Sequence, residues 1–419
     1  MLGWGQVTPG GLAILDAVGN WRSLDPVLTL TSLSVPAYCG RVCNQQEKVR
    51  ATSSHWRVMA TCRLLDGSRM IEINNQGSIY TVFFVEDGKQ VLSGSAEGML
   101  QRWRVDDGHE VTVGEPIRAE EAQIYAAALS PDRKWLVCGL RRLNSRGSKG
   151  NVRVWDSQTH EKVLDFKGHT NAISSVDISS DSTKFATGGY DGLAVIWSIT
   201  SGERLVGPLQ HGGRVMAVRF SPNGDRLATA TAENPDAKSI RIYNNDNGQQ
   251  LLDIPFPVVD TLSSPLTWSE DGRRLFAVSY DEVKCFDTCS GTSLSKWSID
   301  SQRPAACIAL ARNQKFIVVT AYNSLSFWDT STYKQIGTVI NHASIVWSTA
   351  LSPDDDCIVT GESNGKIIIR SLHDILPISY LTVNVSDQLR NVVKSNMSWS
   401  TPFLSSNREC VQLPIASLF

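Results

Sequence analysis

Seven copies of one pattern predict an all-β fold in which four-stranded antiparallel sheets are arranged around a common axis. In each copy a tight turn leads from one short apolar strand to a second, and a further turn leads to a third strand, which closes at Trp103, Trp155, Trp197, Tyr243, Phe286, Trp328 and Arg370. The spacings between these closing residues are 52, 42, 46, 43, 42 and 42, the period of a blade-forming repeat. Apolar runs this short in repeats of this length leave little room for helices, and a fourth strand completes each sheet.

The turns have a physical signature. They read Glu86-Asp-Gly88, Ser130-Pro-Asp132, Ser180-Asp-Ser182, Ser221-Pro-Asn-Gly224, Ser269-Glu-Asp-Gly272, Arg312-Asn-Gln314 and Ser352-Pro-Asp354. Pro presets one backbone dihedral, and Asp, Asn and Gly tolerate the rest of the reversal. Each turn follows a strand such as Ile79 to Phe84, Ile124 to Leu129, Ile173 to Ile178 or Val215 to Phe220. Residues 1–63 show neither the repeat nor a sustained period and are assigned no fold. Residues 64–385 hold the repeats, opening with the alternating stretch Arg69 to Ile73. The tail, 386–419, contains one candidate helix starting at Ser386 as its N-cap.

Composition narrows the function classes. Among 419 residues, 40 Lys and Arg face 42 Asp and Glu, a formal charge of -2, so no global field draws the chain to nucleic acid or an anionic membrane. Nine cysteines form an odd set, and Cys138, Cys285, Cys307 and Cys357 fall in predicted strands, which favours a reducing compartment, cytoplasmic or nuclear. No apolar run has the length of a membrane helix, and the first twenty residues lack the character of a secretory signal. The sequons at Asn384 and Asn396 are accordingly expected to be unused.

The pairs Gly168-His169, Trp155-Asp156 and Trp328-Asp329 and the turn Ser221-Pro-Asn-Gly224 resemble the WD-repeat (WD40) family. The resemblance implies a seven-bladed β-propeller with irregular N- and C-terminal extensions. It also implies, in the third repeat, a structural tetrad of His169, Thr187, Asp191 and Trp197. Other repeats keep parts of it: Ser93, Glu97 and Trp103 in the first, His211 and Thr229 in the fourth, and His342, Thr360, Asn364 and Arg370 in the last. In the family an N-terminal strand usually completes the last blade, which Arg69 to Ile73 would do; Ile378 to Val383 is the rival.

No residue set indicates catalysis. The seven histidines lack paired metal-ligand spacing, and the Cys39/Cys43 and Cys285/Cys289 pairs lack the separation of zinc ligands. His169, Asp191 and Thr187 have the residue types of a catalytic triad, but the tetrad reading accounts for them. No enzyme activity, metal or cofactor is expected.

Family propellers usually bind partners where the innermost strands begin. Aligned on the turns, those positions are Tyr80, Tyr125, Ser174, Met216, Ser264, Ala306 and Trp347. Trp347, Tyr80 and Tyr125 belong to blades adjacent in a closed ring and would form an aromatic arc able to hold an Arg or Lys of a partner, the alternative being sideways packing between blades. Tyr190, Tyr280 and Tyr322 lie in turns at the same end. Insertions at 141–150, with Arg141, Arg142, Arg146 and Lys149, and at 233–238 are read as long loops. The function expected is a non-catalytic scaffold binding other proteins or peptides, a monomeric propeller within a larger complex, with neither nucleic acid nor membrane as partner. The alternative is an RNA- or chromatin-associated propeller using the basic loop; a propeller enzyme would need a constellation that the sequence does not show.

Overall fold

The computed structural model describes residues 59–65, 68–75, 77–85, 88–111, 117–120, 122–144, 147–232, 239–258, 265–299 and 305–381, with short strands at 6–8, 11–15 and 21–23. The chain divides into two compact units, Met1–Gln46 and Glu47–Phe419. In the first, Gln6–Thr8, Gly11–Leu15 and Trp21–Ser23 form an antiparallel three-stranded sheet. The second unit is a seven-bladed β-propeller.

Blade 1 comprises Ile79–Val85, Gln90–Ser95, Met99–Arg104 and Ile117–Arg118, ordered from the axis outward. Blade 3, with Ile173–Ile178, Lys184–Gly189, Leu193–Ser198 and Arg204–Gln210, repeats the plan, as do blades 2, 4, 5 and 6. Blade 7 has five strands. Val346–Leu351, Cys357–Glu362 and Lys366–Ser371 are followed outward by Ser68–Asn74 and Met59–Leu65, so the two ends of the repeat region meet in one sheet.

The rival closing segment does something else. Ile378–Tyr380 is a 3-10 turn preceded by Pro377, which lacks the N–H a ladder needs, and the outer edge it would have joined is already occupied. Instead the segment lies against blade 6. Leu372, Leu376 and Leu381 pack with Phe316, Phe327 and Ile336, and Tyr380 donates its hydroxyl to Asp329 Oδ2 at 2.7 Å. The candidate helix at Ser386 lies outside the described residues.

Turn chemistry explains the regular spacing. In five blades a serine hydroxyl accepts the amide five residues on: Trp135 N to Ser130 Oγ at 2.8 Å, Lys184 N to Ser179 Oγ at 3.0 Å, Arg226 N to Ser221 Oγ at 3.0 Å, Arg274 N to Ser269 Oγ at 2.9 Å and Cys357 N to Ser352 Oγ at 2.8 Å. In blade 3 this residue is Ser179, one before the Ser180 at which the sequence reading began that turn.

Neighbouring blades interlock at one repeated position. Gly94, Gly139, Gly188 and Gly361, each on a second strand, leave space filled by Ile124, Ile173, Val215 and Ile79 from the inner strand of the next blade. A methyl on Gly361 would sit 2.6 Å from Ile79 Cγ2, so the 7-to-1 seam uses the same notch as the others. Ile71 and Ile73 of the closing strand share a core cluster with Ile367 and Ile369 of blade 7 and with Ile79, Val91 and Trp103 of blade 1. Apolar burial therefore seals the ring.

Candidate partner-binding face

The seven inner strands surround an axial channel of about 650 Å³. Six of them carry a register break near their start, skipping Tyr80, Tyr125, Ser174, Met216, Ala306 and Trp347. These are the positions the sequence alignment selected. Each is the extra residue of a β-bulge, a device that bends the strand and redirects the side chain. Ser264, the seventh, lies outside the described residues.

From three of these positions, Trp347, Tyr80 and Ser174, the side chain reaches the adjoining blade. Trp347 of blade 7 lies 6.4 Å from Tyr80 of blade 1, ring centre to ring centre, and Tyr80 meets Tyr125 of blade 2 edge-on at 4.8 Å. Ser174 donates to Gly188 O at 3.0 Å and also to Val215 O of blade 4. The arc is thus continuous over three blades and packs sideways as well. Tyr125 is 4% exposed and Met216 1%, whereas Tyr80 and Trp347 are half-buried, so the last two supply the accessible aromatic surface. The Trp347 indole N–H is buried with no hydrogen-bond partner among the described residues. Burial, followed by the nearby Tyr125 hydroxyl, raises the Tyr80 phenol above its ordinary pKa.

Beyond Tyr125 the arc ends on a cation of the chain itself. Arg141 donates to the Tyr125 hydroxyl and places its guanidinium carbon 5.4 Å from that ring centre. The insertion that carries it is a hairpin rather than a loop. Trp135–Asn144 and Gly147–Asp156 pair from Trp135 to Gly139 and again from Arg142, opposite Lys149, to the Asn144–Gly147 pair at the tip, while Arg141 pairs with Gln123 of the inner strand. Backbone pairing orders these basic residues, which composition alone does not reveal. Arg146 and the blade 4 insertion 233–238 lie outside the described residues.

The tyrosine turns share this end of the propeller. Tyr190 N donates to Ala172 O just before the inner strand of blade 3, and Tyr322 O accepts from Val346 N at the start of blade 7. Arg214 stacks on Tyr190 at 4.6 Å, and Tyr280 is 50% exposed.

Blade 3 contains the complete tetrad. Trp197 Nε1 donates to Thr187 Oγ1 at 2.8 Å, Thr187 Oγ1 lies 2.7 Å from His169 Nε2, and His169 Nδ1 lies 2.9 Å from Asp191 Oδ1. One proton arrangement satisfies every group: Thr187 donates to Nε2, and Nδ1–H donates to the carboxylate. Burial opposes charge on Asp191, but donors from His169, Thr170 and Leu193 outweigh it and hold the carboxyl below its usual range. Thr187 is 0% exposed; sealed from solvent and bonded on both sides, it has no access to a substrate.

Other blades depart from this arrangement. Blade 1 keeps the Trp103 Nε1 to Ser93 Oγ bond at 2.8 Å. In blade 6 Trp328 Nε1 finds Ser326 Oγ at 2.9 Å, leaving Thr320 Oγ1 without a partner among the described residues. Blade 7 takes its carboxylate from Glu362 rather than using Asn364: His342 Nδ1 lies 2.8 Å from Glu362 Oε1, with both side chains buried. His342 Nε2, Thr360 Oγ1, Glu362 Oε2 and Arg370 Nε there have no hydrogen-bond partner among the described residues.

One feature of the channel was not anticipated. Asp177 on blade 3 accepts the Phe220 amide at 2.7 Å and faces Arg219 of blade 4; burial pushes its carboxyl up, and the Arg219 charge opposes that. The signal was a charged residue between two apolar ones at matching places, Val176-Asp-Ile178 and Val218-Arg-Phe220.

Residues 114–156, 160–198, 204–244 and 333–371 match the model of the WD domain, G-beta repeat. Each match runs from the outer part of one blade to the third strand of the next. The chain is similar, at 25% identity over 250 residues, to the U3 small nucleolar RNA-associated protein 15 homolog of Gallus gallus, covering 59% of this chain and 45% of that protein. It is similar, at 26% identity over 249 residues, to Transducin-like enhancer protein 2 of Mus musculus, covering 59% of this chain and 30% of that protein. The chain thus matches less than half the length of either relative. No helix among the described residues is long and apolar enough to cross a membrane. With four matched repeats and seven blades of the same plan, the chain belongs to the WD-repeat β-propellers.

Proposed function

We propose that the protein is a non-catalytic scaffold whose partners, segments of other proteins, dock over the channel end formed by Trp347, Tyr80, Tyr125 and the blade 2 hairpin. The carrying observation is the aromatic run across blades 7, 1 and 2, built on bulged residues and ending on Arg141. Rigid aromatic surface gives contact area at low entropic cost, and such residues dominate interface energetics. The sheets of blades 7, 1 and 2 hold it in place as a fixed platform. A non-catalytic role fits the tetrad, whose hydroxyl is sealed behind Trp197. An intracellular setting fits the buried thiols of Cys138 and Cys285, neither of them in a disulfide, and the small nucleolar RNA in one relative's name.

Affinity capture from the source cells, followed by mass spectrometry, tests the reading. Trp347→Ala with Tyr80→Ala should lose the partners while keeping the wild-type circular dichroism spectrum. Undiminished capture would refute the docking face.

A second reading rests on the hairpin, whose Arg142–Lys149 pair suits an RNA backbone. RNA binding that weakens steeply with salt and is lost in Arg142→Ala with Lys149→Ala would support it.

A further inference from the structure

The two ends of the aromatic arc differ in charge. On blade 2 it ends on a cation of the chain itself, since Arg141 donates to the Tyr125 hydroxyl. On blade 1 it is bordered by carboxylates. Glu97 stands, exposed, in the turn between the second and third strands of that blade. It lies over Gly77, where a Cβ would meet its Cγ at 2.9 Å and its Oε1 at 3.0 Å, and its charge acts on the nearby Tyr80 phenol. The turn leading to blade 2 is fastened alongside, Ala119 N donating to Gly98 O at 2.7 Å, and carries the exposed Glu120. Neither Glu97 nor Glu120 forms an ion pair among the described residues. Of the cations near these turns, Lys366 is held by Glu72 at 2.7 Å, and Arg118 ends the outer strand of blade 1. Residues 112–116 and 121, outside the described set, add Glu115 and Glu121 to the sequence and no cation. Beside Glu97 the half-buried rings of Tyr80 and Trp347 form an angled pair, 6.4 Å between centres at 60°.

We infer that the sector of blades 7 and 1 binds a basic side chain, Arg or Lys, from an extended segment of another protein, its stem against Tyr80 and Trp347 and its charge at Glu97. This rests on the docking face above and names the ligand of one part of it. A long basic side chain covers apolar surface with its methylenes while its head stays at the wet rim. Ring faces attract the cation, and a carboxylate gives it a charge-assisted hydrogen bond. Arg suits the site better than Lys, because its planar group stacks on a ring and presents a donor fork to Glu97. Arg141 repels a basic residue from the blade 2 end, which fixes where along the arc that residue sits. The cation expected over the whole arc thus goes to Tyr80 and Trp347 and not to Tyr125, which is 4% exposed and already carries one.

Fluorescence anisotropy of the full-length protein tests this with three labelled probes: a peptide of alternating Gly and Arg, the same peptide with neutral citrulline at every Arg, and one with Glu at every Arg. The Arg peptide should bind with an affinity that falls as salt rises, and the other two about tenfold more weakly or worse. Glu97→Gln should weaken the Arg peptide by about threefold to tenfold. Tyr80→Leu with Trp347→Leu, which keeps apolar surface and removes the rings, should weaken it by about tenfold or more with circular dichroism unchanged. Glu270→Gln, in a turn at the opposite end, should change nothing. Absent binding at low salt, equal affinity for the Arg and citrulline peptides, tighter binding of the Glu peptide, or full binding by Glu97→Gln would each overturn the inference. If cellular partners are lost in Trp347→Ala with Tyr80→Ala but retained in Glu97→Gln, the docking face stands and only the basic assignment falls.

Discussion

Thr187→Val separates the tetrad's contribution from the general worth of a buried threonine. Valine keeps the branched shape and removes one oxygen, which in blade 3 accepts from Trp197 Nε1 at 2.8 Å and bonds His169 Nε2 at 2.7 Å. Each buried partner left unpaired costs about 1 to 3 kcal/mol, so with two partners the substitution should destabilise by about 2 to 6 kcal/mol. Thr320 in blade 6 is the control. It too is 0% exposed, but its hydroxyl has no partner among the described residues, so Thr320→Val relieves an unmet desolvation cost and should be neutral or stabilising by about 1 kcal/mol. Urea unfolding followed by tryptophan fluorescence and circular dichroism gives the two midpoints, and their order is the readout even if unfolding is not two-state. Equal shifts for both variants would refute the reasoning, because shape alone would then account for them.

Three further outcomes follow from individual contacts. Burial, and then the Arg241 charge, lower His211 to about 4. The unfolded chain therefore takes up a proton near pH 6.5 that the folded chain refuses until about 4, and stability should fall by about 3 kcal/mol as pH drops through that window; His211→Phe, measured by thermal melts across the range, should flatten the fall. Gly361→Ala puts a methyl 2.6 Å from Ile79 Cγ2 at the ring seam and should cost about 1 to 3 kcal/mol, with faster amide exchange in Ile79–Val85; unaltered exchange there would contradict the notch. Glu362→Ala removes the carboxylate partner of buried His342 and should cost about 3 kcal/mol, loosening Ser68–Asn74 in the same exchange experiment.

The ring was legible because its determinants are local and repeated. Turn serines, closing aromatics and short apolar strands recur at one period, so even Arg370, chemically unlike its counterparts, falls in register. The bulged positions were found by the same alignment, although a bulge has no composition of its own. What escaped was set by contacts distant in sequence. Glu362 replaces Asn364 as the histidine's partner because the carboxylate side chain reaches from the strand itself, a substitution the family pattern does not encode. Arg141 to Lys149 looked like a loop for want of alternation, yet cross-strand pairing orders it. Ile378 to Val383 had a strand's composition, but the partner edge was taken and Tyr380 found Asp329 instead. The sheet formed by Gln6–Thr8, Gly11–Leu15 and Trp21–Ser23 has strands too short to show a period.

Hydrogen-exchange mass spectrometry of the protein with and without a captured partner tests the docking face most directly. Protection should appear in peptides covering Ile79–Val85, the tip of the blade 2 hairpin and Val346–Leu351, with none in the outer strand Ser293–Ser298. Protection confined to outer strands, or to the opposite-end turns around Ser179 and Ser352, would contradict the account.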